Sequence, residues 1–180
     1  MSDSGNIKTP KLDELITKEL LTKSNNINKI TDNIYLGDEE GAKEIDFFKA
    51  EQIQNVLSIT DNPPTYPPEL NIIHKIINLD ENKSLKIFSY LKECIDFIDN
   101  CDKIYIHCSC GISRSPSIVI AYLMWKTHSS FSQAYNFVQK RRNSIEPNIG
   151  FLEKLKKFDI ILKNNDYNIK KIDFKSINAK

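Results

Sequence analysis

The stretch from Lys103 to Pro116 constrains this chain more than any other. Lys103-Ile104-Tyr105-Ile106 is an apolar run of the kind that forms a strand buried on both faces. It leads without a spacer into His107-Cys108-Ser109-Cys110-Gly111-Ile112-Ser113-Arg114-Ser115. Ser115 and Pro116 then open a helical pattern to about Lys126, with proline in the first turn, where its missing N–H costs nothing. A strand that becomes a helix through so short a loop belongs to a sheet with helices packed on it.

The rest of the sequence fits that frame. Ile34-Tyr35-Leu36-Gly37 reads as a short strand, and Asp38 as the cap of a helix to about Ala50 with Ala42, Ile45 and Phe48 inward. Val56-Leu57-Ser58-Ile59-Thr60 reads as a buried strand. The proline-rich run Asp61 to Pro68 is a surface loop, because proline fixes φ and removes donors. Lys75-Ile76-Ile77-Asn78-Leu79 reads as a third strand ending at Asp80, and Ser84 to Asp99 as a helix with Phe88, Leu91, Ile95 and Ile98 on one face. Two more helices are predicted, about Phe131–Arg142 and Asn148–Lys163. Leu12, Leu15, Ile16 and Leu20 predict a short amphipathic helix over Lys11–Lys23, followed by a polar linker, Ser24 to Lys29. The segment from Asn164 onward reads as a polar, frayed tail. Strands alternating with helices predict one twisted α/β domain with helices on its faces.

The loop after the fourth predicted strand has the makings of an anion site. A compact loop at a helix N-terminus aims backbone N–H groups at one point, and the helix dipole adds positive potential. Gly111 supplies conformational freedom to the loop. A tetrahedral oxyanion fits such a cradle. The same field favours a thiolate at Cys108, the form that attacks phosphorus. Arg114 offers a planar fork for two phosphate oxygens, a geometry lysine lacks. Ser115 places a hydroxyl near the sulfur. Blander readings exist. Cys108 as a plain buried thiol leaves the glycine, arginine and helix unexplained. A metal site built on His107, Cys108 and Cys110 lacks a second ligand pair at zinc-like spacing.

Composition narrows the setting. The 180 residues suit one domain, and a net charge of +1 gives no global field for nucleic acid or an acidic membrane. No run approaches the ~20 apolar residues of a membrane span. The N-terminus lacks a secretory layout, residue 2 is Ser2 and no prenylation cysteine closes the sequence. The expectation is cytosol or nucleus, with the four cysteines as reduced thiols.

From Asn33 to Leu162 the chain resembles the dual-specificity phosphatases of the cysteine-dependent protein tyrosine phosphatase superfamily. Cys108 to Arg114 fits the Cys-x5-Arg signature and Ser115-Pro116 continues it. Asn33-Ile34-Tyr35-Leu36-Gly37, Ala121-Tyr122-Leu123-Met124 and Pro147-Asn148-Ile149-Gly150-Phe151 resemble further family elements in the same order. The resemblance implies an α/β fold with a central mixed, mostly parallel sheet of about five strands flanked by helices. It implies a two-step reaction through a phosphocysteine, with no metal and no cofactor. Cys108 is then the nucleophile, Arg114 the phosphate and transition-state ligand, and Ser115 the donor to the thiolate. Ser109, Cys110, Gly111, Ile112 and Ser113 form the phosphate-binding loop. Asp80 matches the family's general acid, with Glu81 as an adjacent rival. His107 is read as an orienting residue that can hydrogen-bond the loop backbone. Asn148 resembles the asparagine that braces the loop, and can also cap the last helix. Cys110 departs from the residues common at its position, as does Asn143 in the late Arg-Pro-x-Ile-x-Pro-Asn run.

The organisation implied is a flexible N-terminus with a short helix (1–29), a catalytic domain (30–163) and a polar tail (164–180). The expected substrate is a phosphorylated protein carrying phosphotyrosine and phosphoserine or phosphothreonine, with a protein kinase as one candidate and a monomer as the working form. Lipid, glucan or RNA phosphate is an alternative. The absence of lysine from Ser109 to Ser113 argues against an inositol lipid. A binding module without catalysis is disfavoured by the presence of Cys108, Arg114 and Asp80 together. Cys94, Cys101 and Cys110 are expected to pack as small apolar residues, any of them open to disulfide capture of an oxidised Cys108. His74 and His128 are expected at the surface or in loops. Lys140-Arg141-Arg142 reads as a solvated basic run, with an acidic flank of a substrate as its alternative partner.

Overall fold

All four apolar runs read as strands enter one sheet. The computed structural model describes residues 26–82 and 86–177; the predicted Lys11–Lys23 helix lies outside them. Five strands, β1 (Ile27–Lys29), β2 (Ile34–Gly37), β3 (Asn55–Ser58), β4 (Ile73–Ile76) and β5 (Ile104–His107), lie in the order β1-β2-β5-β3-β4. Only β1 runs antiparallel to its neighbour; the other pairings are parallel. The expected mixed, mostly parallel five-stranded sheet is therefore what forms.

Register sorts the side chains into rows. Tyr35 and Val56 both sit opposite Tyr105, and Leu36 and Leu57 both sit opposite Ile106. Because side chains alternate across a strand, the two rows face opposite sides. The Tyr105 row packs on Phe47 and Phe48 of α1 (Ile45–Glu51). The Ile106 row joins the larger core, built with α2 (Ile87–Asp99), α3 (Arg114–Thr127), α4 (Phe131–Gln139) and α5 (Ile149–Asn164). Residues Ser115 to Met124 of α3 are all buried, since the helix is enclosed by the sheet and its neighbouring helices. That explains an apolar pattern that runs around the whole helix rather than along one stripe.

Several boundaries differ from expectation, each for a local reason. Residues 27–29, read as linker, form the edge strand β1 with Ile27 as its only buried residue, so no apolar alternation announces it. The third predicted strand slides toward the N-terminus: β4 ends at Ile76, and Ile77 and Leu79 are buried beyond the ladder. Ile73 and Ile76 are 61% and 50% exposed because β4 is the other edge. Asp38 does cap, but its Oδ1 accepts from the N–H groups of Glu40 and Gly41, making a short turn; α1 starts only at Ile45. α4 stops at Gln139, ahead of the basic run. The segment from Asn164 is no frayed tail: Ile169, Ile172 and Phe174 are buried, and the ring of Phe174, which opens α6 (Phe174–Ile177), meets Phe158 of α5 at 6.2 Å. These three apolar anchors are spaced among lysines and asparagines, which masked them.

Candidate active site

The parallel strands β2, β5 and β3 end side by side, and the chain leaves β5 through the loop 108–113 before α3 begins at Arg114. That loop is turned inside out relative to ordinary backbone. The Ser109 carbonyl accepts from the Glu39 N–H (3.2 Å), the Cys110 carbonyl from Arg142 Nη2 (3.4 Å), the Gly111 carbonyl from Arg142 Nε (2.9 Å) and the Ile112 carbonyl from the Glu146 N–H (2.8 Å). Four successive carbonyls are thus tied outward. In a trans peptide the next N–H points the opposite way, so the amides of Cys110, Gly111, Ile112 and Ser113 converge on the loop interior. This is a preorganised anion cradle at a helix N-terminus.

Gly111 makes the turn possible. Its φ is +63°, and a Cβ there would stand 2.4 Å from the Gly37 carbonyl oxygen and 2.6 Å from Arg142 Nη2. Arg142, 5% exposed, is the outer clamp. Besides the loop carbonyls it donates to Asn28 Oδ1 (2.7 Å) and pairs with Asp38 Oδ2 (3.4 Å). The solvated basic run expected at 140–142 therefore does not include Arg142, whose charge is consumed inside the protein. Sequence reasoning missed this role; its one signal was that Arg142 opens the late family-like run ending at Asn148.

Cys108 is buried at the loop base, and its sulfur accepts from the Ser115 hydroxyl at 3.2 Å. Arg114 reaches along the loop: Nη2 donates to Ser109 Oγ (2.9 Å), and Nε lies 3.2 Å from Glu81 Oε2. That Nε–H is buried and makes no aligned hydrogen bond among the described residues, so it is a donor still to be satisfied. His107 is fully buried, stacks on Tyr105 (5.5 Å) and sets Nδ1 3.4 Å from the Cys108 carbonyl. Burial pushes its pKa down to about 4.

A second loop closes on the first. Glu81 accepts from the Ser113 hydroxyl and, through its backbone carbonyl and Oε1, from Asn148 Nδ2 (2.8 Å each). Asn148 also caps α5, accepting from the Phe151 N–H (2.9 Å), and its own N–H donates to Ser113 Oγ (3.0 Å). The cap read for Asn148 forms, while its side-chain amide meets Glu81 and its contact with the phosphate loop is made by the backbone N–H. Asp80, half-buried, accepts from the Asn82 N–H at 2.9 Å. The loops thus bring Cys108, Ser109, Gly111, Ser113, Arg114, Ser115 and Glu81 together, with Ile112 37% exposed on the rim.

The remaining candidates scatter. Cys94 is buried, its thiol pushed up to about 12 by burial; Cys101 is half-buried and raised to about 11 for the same reason. Cys110 is exposed and does not pack as a small apolar residue. His74 lies half-buried on β4, not in a loop, while His128 is exposed at the end of α3.

Comparison with known proteins agrees with this geometry. The family described as "Dual specificity phosphatase, catalytic domain" matches residues 34–161. Dual specificity protein phosphatase 1B of Arabidopsis thaliana is 31% identical over 157 residues, covering 84% of this chain and 93% of that protein. The MAP kinase phosphatase with leucine-rich repeats protein 1 of Dictyostelium discoideum is 37% identical over 133 residues; these cover 72% of this chain but only 16% of that protein's length. The crystal structure of DUSP15 superposes with a TM-score of 0.71 at 26% identity, over 87% of this chain and 94% of that one. With the family match spanning four of the five strands, the cradle and most of α5, the chain belongs to the dual-specificity phosphatase catalytic-domain family.

Proposed function

We propose that this chain hydrolyses phosphate monoesters on proteins, at phosphotyrosine and at phosphoserine or phosphothreonine, through a phosphocysteine. The observation that carries the reading is the set of four outward-tied carbonyls, 109 to 112, because it aims four amides at the point above Cys108. Phosphate oxygens dock on those amides and on the unaligned Nε–H of Arg114. The Cys108 sulfur attacks phosphorus; the P–O bond to the substrate breaks, and the leaving oxygen takes a proton from a carboxylic acid. Water then attacks the phosphocysteine, giving its proton to the same carboxylate. Sulfur departs as thiolate, received by the Ser115 hydroxyl.

The acid comes from the turn after Leu79. Our first assignment is Asp80, the position that matches the general acid of the family; the adjacent Glu81 is engaged by Arg114, Ser113 and Asn148. A second reading is favoured by the same contacts. Glu81 is the carboxylate that stands against the phosphate loop. An arriving phosphate dianion takes over Arg114 and displaces Glu81, which leaves that carboxyl beside the leaving group as the nearest candidate to supply its proton.

Relatives named as MAP kinase phosphatases support a doubly phosphorylated protein kinase as the first substrate to try. We place the protein in the cytosol or nucleus and treat it as a monomer. The test is turnover of matched phosphotyrosine and phosphothreonine peptides, by wild type and by Cys108→Ser. Both peptides hydrolysed by wild type alone supports the reading; inactivity on phosphothreonine, in peptides and in a doubly phosphorylated kinase alike, reduces it to a tyrosine phosphatase.

A further inference from the structure

The strand rows that bury the core also line up three polar side chains behind the nucleophile. Ser58 sits opposite His107 in the β3–β5 pair, and His74 lies opposite Val56 in the β3–β4 pair, so alternation puts Ser58, His107 and His74 on one face. Ser58 Oγ is 2.6 Å from His107 Nε2 and 2.7 Å from His74 Nε2. Ser58 and His107 are fully buried. Nothing in the two-step reaction uses Ser58 or His74.

The directions of these bonds can be worked out. A serine hydroxyl has one proton, so it donates to one ring and accepts from the other. His107 Nδ1 faces the Cys108 carbonyl, which can only accept. Nδ1 therefore carries the ring proton and Nε2 is a bare lone pair, because His107 stays neutral with a pKa near 4. Ser58 must donate to His107 and accept from a protonated His74 Nε2. The reverse order would set two lone pairs against each other, at Nδ1 and the carbonyl, in a fully buried site where an unmade hydrogen bond is costly. The result is a one-way chain: His74 N–H to Ser58, Ser58 O–H to His107, His107 N–H to the Cys108 carbonyl.

We propose that Ser58 and His74 are positioning residues, which fix the tautomer of His107 and through it the peptide plane of the nucleophile. The chain extends the outward tying of carbonyls from 109–112 back to residue 108, and so turns the Ser109 amide inward as a fifth donor. It also links the nucleophile to the half-buried edge strand, where the Tyr66 ring of the proline-rich loop packs edge-on against His74 at 5.2 Å. Protonation of His74 at its other nitrogen leaves the Nε2–H in place, so the chain keeps its direction in acid.

This deepens the phosphatase reading and rests on it for the kinetic arm alone. The experiment is side-chain nitrogen NMR of 15N-histidine-labelled protein, paired with p-nitrophenyl phosphate kinetics. Wild type is expected to show His107 protonated at Nδ1 from pH 5 to 8. Ser58→Ala should lose that single tautomer and lower kcat by roughly 10- to 100-fold, the scale of a small misplacement of a reacting group. His74→Gln, which keeps a donor N–H at the same reach, should preserve both; His74→Phe should lose part of each, and serves if Ser58→Ala does not fold. An Nε2-protonated His107 in wild type overturns the proposal. So does an unchanged tautomer and kcat in Ser58→Ala. A protein with no phosphatase activity whose His107 is Nδ1-protonated would fail the functional reading while leaving the hydrogen-bond chain intact.

Discussion

The carboxylate of Glu81 stands 3.2 Å from Nε of Arg114, whose Nη2 donates to Ser109 Oγ in the phosphate loop at 2.9 Å. One ion pair therefore joins the turn that follows Leu79 to the loop that follows Cys108. On the proposed mechanism a substrate phosphate and Glu81 compete for the same cation, so phosphate binding and the position of the turn after Leu79 are coupled.

The acid assignment is tested by leaving-group dependence. Asp80→Asn is expected to slow turnover by roughly 10²–10⁴-fold on an alkyl or phenyl phosphate, with the loss shrinking as the leaving group becomes more acidic. Glu81→Gln on the first reading changes KM more than kcat, because it alters only what phosphate must displace. A Brønsted plot for each variant decides. If the leaving-group dependence follows Glu81→Gln and spares Asp80→Asn, the second reading is correct.

Arg142→Met keeps the length of the side chain and removes its donors. It leaves the Gly111 and Cys110 carbonyls without their clamp and Asp38 without its partner. Breaking a buried pair from one side costs about 3–5 kcal/mol, so urea unfolding should show a drop of that size. KM for any phosphate ester should rise in the surviving folded protein. Arg142→Lys should not restore either quantity, since one ammonium cannot serve Asn28, Asp38 and two carbonyls as a planar fork does. Stability within about 0.5 kcal/mol of wild type would return Arg142 to the solvated basic run.

Stability should depend on pH through His107. Its folded pKa, about 4, lies below the ordinary 6.5 because burial disfavours the charged ring. Between those values the unfolded chain binds a proton that the native state refuses. The stabilisation is therefore complete above about pH 6.5 and declines as pH falls toward 4, by up to about 3 kcal/mol. His74, also lowered by burial, acts in the same direction. Urea titrations from pH 4.5 to 7 should show the slope in wild type and a smaller one in His107→Gln.

Much of this was legible because local and global signals coincide at β5. A continuous apolar strand, a glycine-bearing loop and a helix start leave one arrangement for Cys108, Gly111 and Arg114. The rows on the sheet follow from alternation alone, yet the sequence does not say which strands are neighbours. Ser58 and His74 were thus unremarkable until β3 was found between β5 and β4. Arg142 failed to stand out for a related reason: an arginine beside Lys140 and Arg141 reads as surface, and only the tertiary return of the chain past Gly111 buries it. Edge strand β1 and the anchors Ile169, Ile172 and Phe174 carry too few apolar residues for periodicity to reveal them. In the acid turn, Asp80 and Glu81 are adjacent, and choosing between them needs side-chain direction, which no spacing supplies.

The central claim is that phosphate passes through the sulfur of Cys108, and rapid acid quench of a reaction with 32P-labelled phosphoprotein tests it most directly. Denatured wild-type protein, moved to alkaline pH directly after the quench because the P–S bond is labile in mild acid, is expected to retain label on the peptide containing Cys108 as S-phosphocysteine, with none on Cys108→Ser and full turnover maintained in chelator. Undiminished turnover by Cys108→Ser, or turnover abolished by chelator and restored by a divalent metal with no labelled cysteine, would contradict the account.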